Sequence, residues 1–385
     1  MKEIKNILSK SGSSIIFVLF LIVFSLAFLL VPAQETSTTE NRPLQQKPKV
    51  TISSVLEGNY QEDMSSYLSD QFLLRSSLVK IHTNLEHQLG KSEINGVYIG
   101  EDDELFQESV VPDKDMIKQK LDTINAFVQN QKDIRISMIL APNKATILED
   151  KLPSNIPGQN QQRTMESFHD GLDKSIQYVN VTSALSKHKK EGLYYRSDHH
   201  WTNKGAYVAF NTWKQVVLPD EALFTYETYC VNGSFYGTLA NTSGYFRGKG
   251  DCVEIVTSKE DPKYVVKYAQ NQTSTTTIFD AQKADSTNPY EVFLSGNQPL
   301  IDISTTVENQ RHLLLIKDSY ANSFLSYLLP YYNQITIVDP RYYYEDLSQL
   351  IKDRSISDIL FLYNANTFFS DTSLQSLLKD TQEAG

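Results

Sequence analysis

Residues 312–340 read HLLLIKDSYANSFLSYLLPYYNQITIVDP, and residues 358–364 read DILFLYN. The apolar run from His312 to Ile316 has strand length, and Ala321 to Leu329 has helical periodicity. Gln334–Val338 is a second strand, Glu345–Asp353 a helix, Asp358–Tyr363 a third strand and Ser373–Lys379 a helix. Short apolar strands alternating with helices predict a parallel sheet covered on both faces. Ligands of such sheets bind beyond the carboxyl ends of the strands. That rule singles out the residues after Ile316, after Val338 and after Tyr363.

Upstream segments extend the pattern. Asp113–Gln129 reads as a helix, and Ile134–Leu140 as a buried strand ending at Ala141-Pro142-Asn143-Lys144. Tyr178–Val181 is a further strand. A helix from Lys204 to about Val217 is preceded by Thr202 and Asn203, either of which can cap it. Val97–Ile99 and Glu104–Phe106 form a short hairpin pattern, and Tyr60–Leu89 has helical periodicity. Residues 225–300 are rich in Thr, Gly, Tyr and Val, and read as an irregular β-rich insertion near a site. The expected fold is a three-layer α/β domain with a parallel sheet over residues 50–385.

The amino terminus carries Lys2, Lys5 and Lys10 before an uncharged apolar run from Ile15 to Val31. The run predicts a transmembrane anchor over residues 11–33, with residues 1–10 cytoplasmic and the body of the chain outside. This gives a single-pass cell-membrane protein. A cleaved signal peptide is the alternative, since Val31-Pro32-Ala33 ends in a small residue. Residues 34–49 are polar and Pro-containing, and read as a flexible linker.

The 385 residues carry a net charge of −10, which argues against a nucleic-acid partner because phosphate would be repelled. The 22 tyrosines suit a polar ligand such as a sugar, or ordinary packing. The two cysteines, Cys230 and Cys252, can form one disulfide or remain reduced, and their spacing fits no zinc pattern.

Two features carry chemistry. Lys317-Asp318-Ser319-Tyr320 follows a strand and precedes a helix, so Ser319 stands at the top of the sheet beside helix-start amides. Ser197-Asp198-His199-His200-Trp201 supplies what a serine lacks: a base, His200, and a carboxylate, Asp198, to hold its tautomer. In an extended segment Asp198 and His200 face one side and His199 the other. The same residues could begin a metal site, but no further clustered ligand completes one.

Asp198-His199-His200-Trp201 resembles the signature of the DHHW-motif proteins, which are similar to the alginate O-acetyltransferases of the SGNH hydrolase superfamily. The resemblance spans most of residues 50–385. It includes Asp70-Gln71-Phe72 with Arg75, residues 100–106, Ala141-Pro142-Asn143-Lys144, Gly237-Thr238-Leu239 and Lys317-Asp318-Ser319-Tyr320. It implies an SGNH hydrolase-like fold with Asp198, His200 and nucleophilic Ser319, in the chain order of the alginate acetyltransferase branch. One departure is visible. Lys317 stands where the family usually has glycine, bringing a less permissive backbone and a positive charge.

The resemblance further implies acetyl transfer through an acyl-serine to hydroxyls of a cell-surface or extracellular polysaccharide. A membrane partner would supply the acyl group, and no cofactor is required. Asn364 and Asn366 are oxyanion-donor candidates, and Arg341 and Tyr342 could line the substrate site. Arg75 and Lys144 read as structural. A carbohydrate esterase and a non-catalytic glycan-binding or assembly protein of the same fold are the rival readings.

Overall fold

The computed structural model describes residues 14–37 except 20, 24, 27 and 29, then 42–154, 156 and 160–383. The expected cytoplasmic segment 1–10 and linker residues 38–41 lie outside the described residues. The chain divides into two compact units, Met1–Gly90 and Lys91–Gly385.

The first unit corrects the expected anchor. Among the described residues no helix is long and apolar enough to cross a membrane, so a single-pass membrane protein is not supported. The physical reason is length. The apolar run from Ile15 to Val31 lies at the short end of the roughly 17–25 residues a spanning helix needs. The segment read as a linker is also tied down in part. Gln71 Oε1 accepts from Gln34 N at 2.9 Å, Gln71 Nε2 donates to Gln34 O at 2.8 Å, and Leu44 is buried. The periodicity over 60–89 resolves into two helices, Asn59–Asp70 and Arg75–Gln88. They break at Leu74, whose φ of 61° lies in the left-handed region.

The second unit is built on an eight-stranded sheet. In chain order its strands are β1 (Arg135–Ala141), β2 (Ile176–Tyr178), β3 (Tyr264–Tyr268), β4 (Thr273–Thr275), β5 (Leu300–Thr305), β6 (His312–Lys317), β7 (Gln334–Val338) and β8 (Asp358–Asn364). The spatial order is β4-β3-β5-β7-β6-β8-β1-β2. Strands β7, β6, β8, β1 and β2 pair in parallel, whereas β4, β3 and β5 add an antiparallel extension. The sheet is therefore mixed rather than parallel. The extension comes from the end of the β-rich segment and the strand after it, which join the main sheet instead of standing apart. The rest of that segment forms a ribbon of Tyr226–Phe235 and Asp251–Ser258, stapled by a Cys230–Cys252 disulfide.

Strand alternation sends side chains to two cores. Leu313, Leu315, Ile335, Ile337, Leu360 and Leu362 face one layer. That layer includes helices α3 (Asn203–Val217) and α4 (Ala321–Leu328). Leu314, Ile316, Ile359, Phe361, Met138 and Leu140 face the other. There they meet α1 (Lys114–Gln129), α2 (Gln161–Asp170), α5 (Leu347–Asp353) and α6 (Ser373–Glu383). The expected three-layer arrangement follows. Asp113 caps α1 through Met116 N at 2.7 Å, and Thr202, not Asn203, caps α3 through Gly205 N.

Candidate active site

Four parallel strands deliver their carboxyl ends to one edge. Asp318-Ser319-Tyr320 follows β6, Asp339 follows β7, Asn364 ends β8 and Pro142-Asn143 follows β1. Because β5 runs antiparallel to β7 and Leu300 pairs with Val338, the residues just before β5 reach the same edge.

The Asp198 segment is a tight loop and not an extended strand. Tyr194 and Trp201 form an antiparallel bridge, Thr202 N donates to Leu193 O at 2.8 Å, and Tyr195 N to His200 O at 3.2 Å. Inside the loop Asp198 Oδ1 accepts from His200 N at 2.8 Å and lies 2.5 Å from His200 Nδ1. The carboxylate thus shapes its own loop and fixes the imidazole. Asp198 and His200 end on one side through this turn, not through strand alternation. His200 Nε2 is 2.8 Å from Ser319 Oγ. The contact from His200 to Ser319 joins residues 119 apart in sequence.

Neighbouring residues hold the carboxylate from behind. Thr238 N donates to Asp198 Oδ2 at 2.6 Å. A Cβ at Gly237 would lie 2.2 Å from Asp198 Oδ2, so this backbone approaches as only glycine can. Ser197 N and Oγ donate to Asp251 Oδ2 at 3.1 and 2.9 Å. Lys144 is buried and donates to the carbonyls of Tyr195 and Arg196 at 2.7 and 2.8 Å, and to Glu104. These bonds clamp the entry to the loop.

Electrostatics follow from burial. Burial alone would raise the Asp198 carboxyl. The adjacent His199 and His200, with the His200 hydrogen bonds, nevertheless hold it well below the usual carboxylate range. Burial lowers the His199 imidazole to about 4, with His200 adding to the effect and Asp198 opposing it. His199 does not simply point away: its ring sits 3.9 Å from that of His200, tilted by 36°. Burial raises the Asp318 carboxyl. Asp318 accepts from Tyr320 N and Asn364 N, and so ties the serine turn to β8.

Lys317 stays out of the left-handed region, so the position does not require glycine. Its side chain is buried; Nζ donates to Asn322 Oδ1 at 2.7 Å and lies 3.8 Å from Asp339 Oδ2. Arg341 grips Asp339 with Nε at 2.8 Å and Nη2 at 2.6 Å, and its guanidinium lies over Tyr342.

Asn364 and Asn366 are both committed away from Ser319. Asn364 Oδ1 accepts from Asn366 N, and its Nδ2 donates to Asn143 Oδ1 at 2.8 Å and Ala141 O at 3.3 Å. Asn366 Nδ2 donates to Glu108 O, while its Oδ1 accepts from Val110 N and Gln161. They cap a helix start and fasten the 108–110 segment. The buried Nδ2 of Asn143 has no hydrogen-bond partner among the described residues. Sequence reading placed Asn143 in a motif without giving it a part. It also missed Tyr290 and Asp251, which nothing in the spacing connects to Ser319.

The ligand atoms of Asp198, His199 and His200 lie within 4.8 Å of one another. The Asp198 and His200 atoms nearest each other are hydrogen-bonded to one another.

Comparison with known proteins agrees with the fold. Residues 97–288 match the model of the SGNH hydrolase-like domain of acetyltransferase AlgX, a span holding Asp198 and His200 and ending before Ser319. A DHHW family protein from Eubacterium siraeum is 21% identical, with 75% of this chain and 96% of that one covered at a TM-score of 0.61. Bacillus cereus PatB1, solved with a sulfonyl adduct, is 20% identical, with 72% and 97% covered at a TM-score of 0.62. No curated protein matches the chain.

Proposed function

We propose that this chain, an SGNH hydrolase-like protein similar to the DHHW family and to acetyltransferase AlgX, transfers acyl groups through Ser319. The hydrogen-bonded run from Asp198 through His200 to a partly buried Ser319 carries this reading. Ser319 Oγ attacks the acyl carbonyl carbon while His200 Nε2 takes the hydroxyl proton. Asp198 keeps the Nδ1 proton oriented and balances the imidazolium. The tetrahedral oxyanion collapses, and the leaving oxygen takes the proton back from His200. An acceptor hydroxyl then attacks the acyl-serine with His200 again as base, and Ser319 regains its proton.

The oxyanion is received by the Ser319 amide at the start of α4, together with the free Nδ2 of Asn143. The acceptor is a polysaccharide hydroxyl. Arg341 and Tyr342, beyond the end of β7, form the rim that a sugar would meet, and the exposed Tyr344 continues it. A separate protein supplies the acyl group. The esterase reading uses the same machinery with water as acceptor. A chromogenic acetyl ester, offered with and without an oligosaccharide acceptor, separates the two. Transfer predicts an acetylated sugar and faster ester consumption when acceptor is present. Equal consumption with acetate as the sole product indicates an esterase. In Ser319→Ala both should fall by about 10³-fold or more.

A further inference from the structure

Tyr290 reaches the site from the turn Pro289–Val292, which the antiparallel entry to β5 places at the carboxyl edge. Its ring stacks on the His200 imidazole, with centroids 4.0 Å apart and planes 16° from parallel. Its hydroxyl donates to the carbonyl oxygen of Ser319 at 3.1 Å. One side chain therefore touches both the base and the backbone of the nucleophile. The ring is held by edge contacts with Tyr195 and Phe293, at 6.1 and 5.2 Å between centroids. All three belong to a small buried cluster with Phe235, Val253 and Val292.

We infer that Tyr290 is a positioning residue of the acyl-transfer centre, whose ring stabilises the His200 imidazolium and whose hydroxyl fixes the Ser319 turn. This inference rests on the proposed serine chemistry. When Ser319 gives up its proton, His200 becomes a cation lying face-on to an aromatic ring in a site shielded from water. The attraction of a cation to a ring face is absent for neutral imidazole and appears as the charge develops. Stacking also holds the ring plane, so Nε2 stays aimed at Oγ through the reaction. Burial keeps the Tyr290 hydroxyl protonated, so it remains a donor to the Ser319 carbonyl.

Other groups set the charge that the imidazole feels. Asp198 lies on its Nδ1 side, and His199 and the Tyr320 ring pack beside it. Asp318, below the serine turn, acts on it electrostatically, and Arg341 acts on both Asp318 and His199. None of these side chains is itself replaced by a substitution at position 290. A difference in pH response between Tyr290→Leu and Tyr290→Phe therefore reports the ring.

The test is the rate of Ser319 sulfonylation by phenylmethanesulfonyl fluoride as a function of pH, in which Oγ bonds to sulfur, fluoride leaves and His200 takes the proton. Tyr290→Leu removes ring and hydroxyl. It should move the midpoint of the acid limb down by about half to one and a half pH units and lower the plateau rate several-fold. Tyr290→Phe keeps the ring. Its midpoint should match the parent while its plateau rate falls several-fold through loss of the anchor on Ser319. Parent-like midpoints in both variants overturn the role of the ring. If Tyr290→Leu does not fold, Tyr290→Phe decides, and a parent-like rate there overturns the inference. A parent protein that takes no sulfonyl group at Ser319 overturns instead the serine chemistry on which the inference rests.

Discussion

Trp201 Nε1 donates to the carbonyl oxygen of Tyr320 at 2.9 Å, so the residue after the imidazole holds the residue after the nucleophile. The same nitrogen reaches Ser323 Oγ at 3.1 Å, and the indole is fully buried. The Asp-x-His loop and the serine turn are thereby pinned to each other by a side chain with no chemistry of its own.

Trp201→Phe should keep much of the packing but lose both hydrogen bonds. An unsatisfied buried carbonyl costs about 1–3 kcal/mol, so thermal stability should fall measurably. Acyl transfer should fall about tenfold or more through loss of alignment. Calorimetry together with ester turnover checks this. A variant that loses stability but keeps the parental rate would show that the indole only packs.

Gly237→Ala places a methyl where Asp198 already stands, at 2.2 to 2.5 Å from three of its atoms. The carboxylate must move, and turnover should fall at least tenfold. Gly192 is the control. Its φ of +72° strains any other residue, but a methyl there meets nothing within 4 Å. Gly192→Ala should cost about 1 kcal/mol of stability and leave turnover unchanged. Similar turnover in the two variants would contradict the close-approach argument.

Lys317→Gly restores the residue usual in the family. It should not raise activity, because the backbone at 317 needs no glycine. It should remove the ammonium shared by Asn322 and Asp339, with a loss of about 2–3 kcal/mol read by chemical denaturation. A more active variant of parental stability would contradict this.

The parallel half of the sheet was legible because its strands are short, apolar and separated by helices of clear period. His312, Gln334 and Asp358 each open a strand where the apolar run begins. The antiparallel extension was not legible. Tyr264–Tyr268 and Leu300–Thr305 alternate weakly, and only their pairing places them on the main sheet. The roles of Ser319, His200 and Asp198 were suggested by residue type and family resemblance. Tyr290 and Asp251 were hidden, because they act through tertiary approach and carry no local pattern; Gly237 stood in a motif of the resemblance, but its close approach to Asp198 was not legible. Asn364 and Asn366 were chosen for their position after a strand, where capping competes for the same side chains.

His199 makes the fold sensitive to acid. Its folded-state value of about 4 lies below the ~6.5 of an unfolded imidazole, so the unfolded chain takes up the proton first. The stabilisation is present above about pH 6.5 and is lost as pH falls toward 4. It amounts to about 2–3 kcal/mol in all. The depressed Asp198 carboxyl acts in the same direction at lower pH: its contribution is present above about pH 4 and is lost as pH falls through its folded value. His199→Gln should flatten the fall in melting temperature between pH 6.5 and 4. Parallel profiles for parent and variant across that window would contradict it.

The central claim is that Ser319 is the nucleophile activated by His200 and Asp198. Its most direct test is intact-mass and peptide analysis after treatment with phenylmethanesulfonyl fluoride near pH 8. The expected result is one sulfonyl group per chain, on Ser319, absent from Ser319→Ala and slowed at least a hundredfold in His200→Ala. An adduct at another residue, or equal labelling of the parent and His200→Ala, would contradict it.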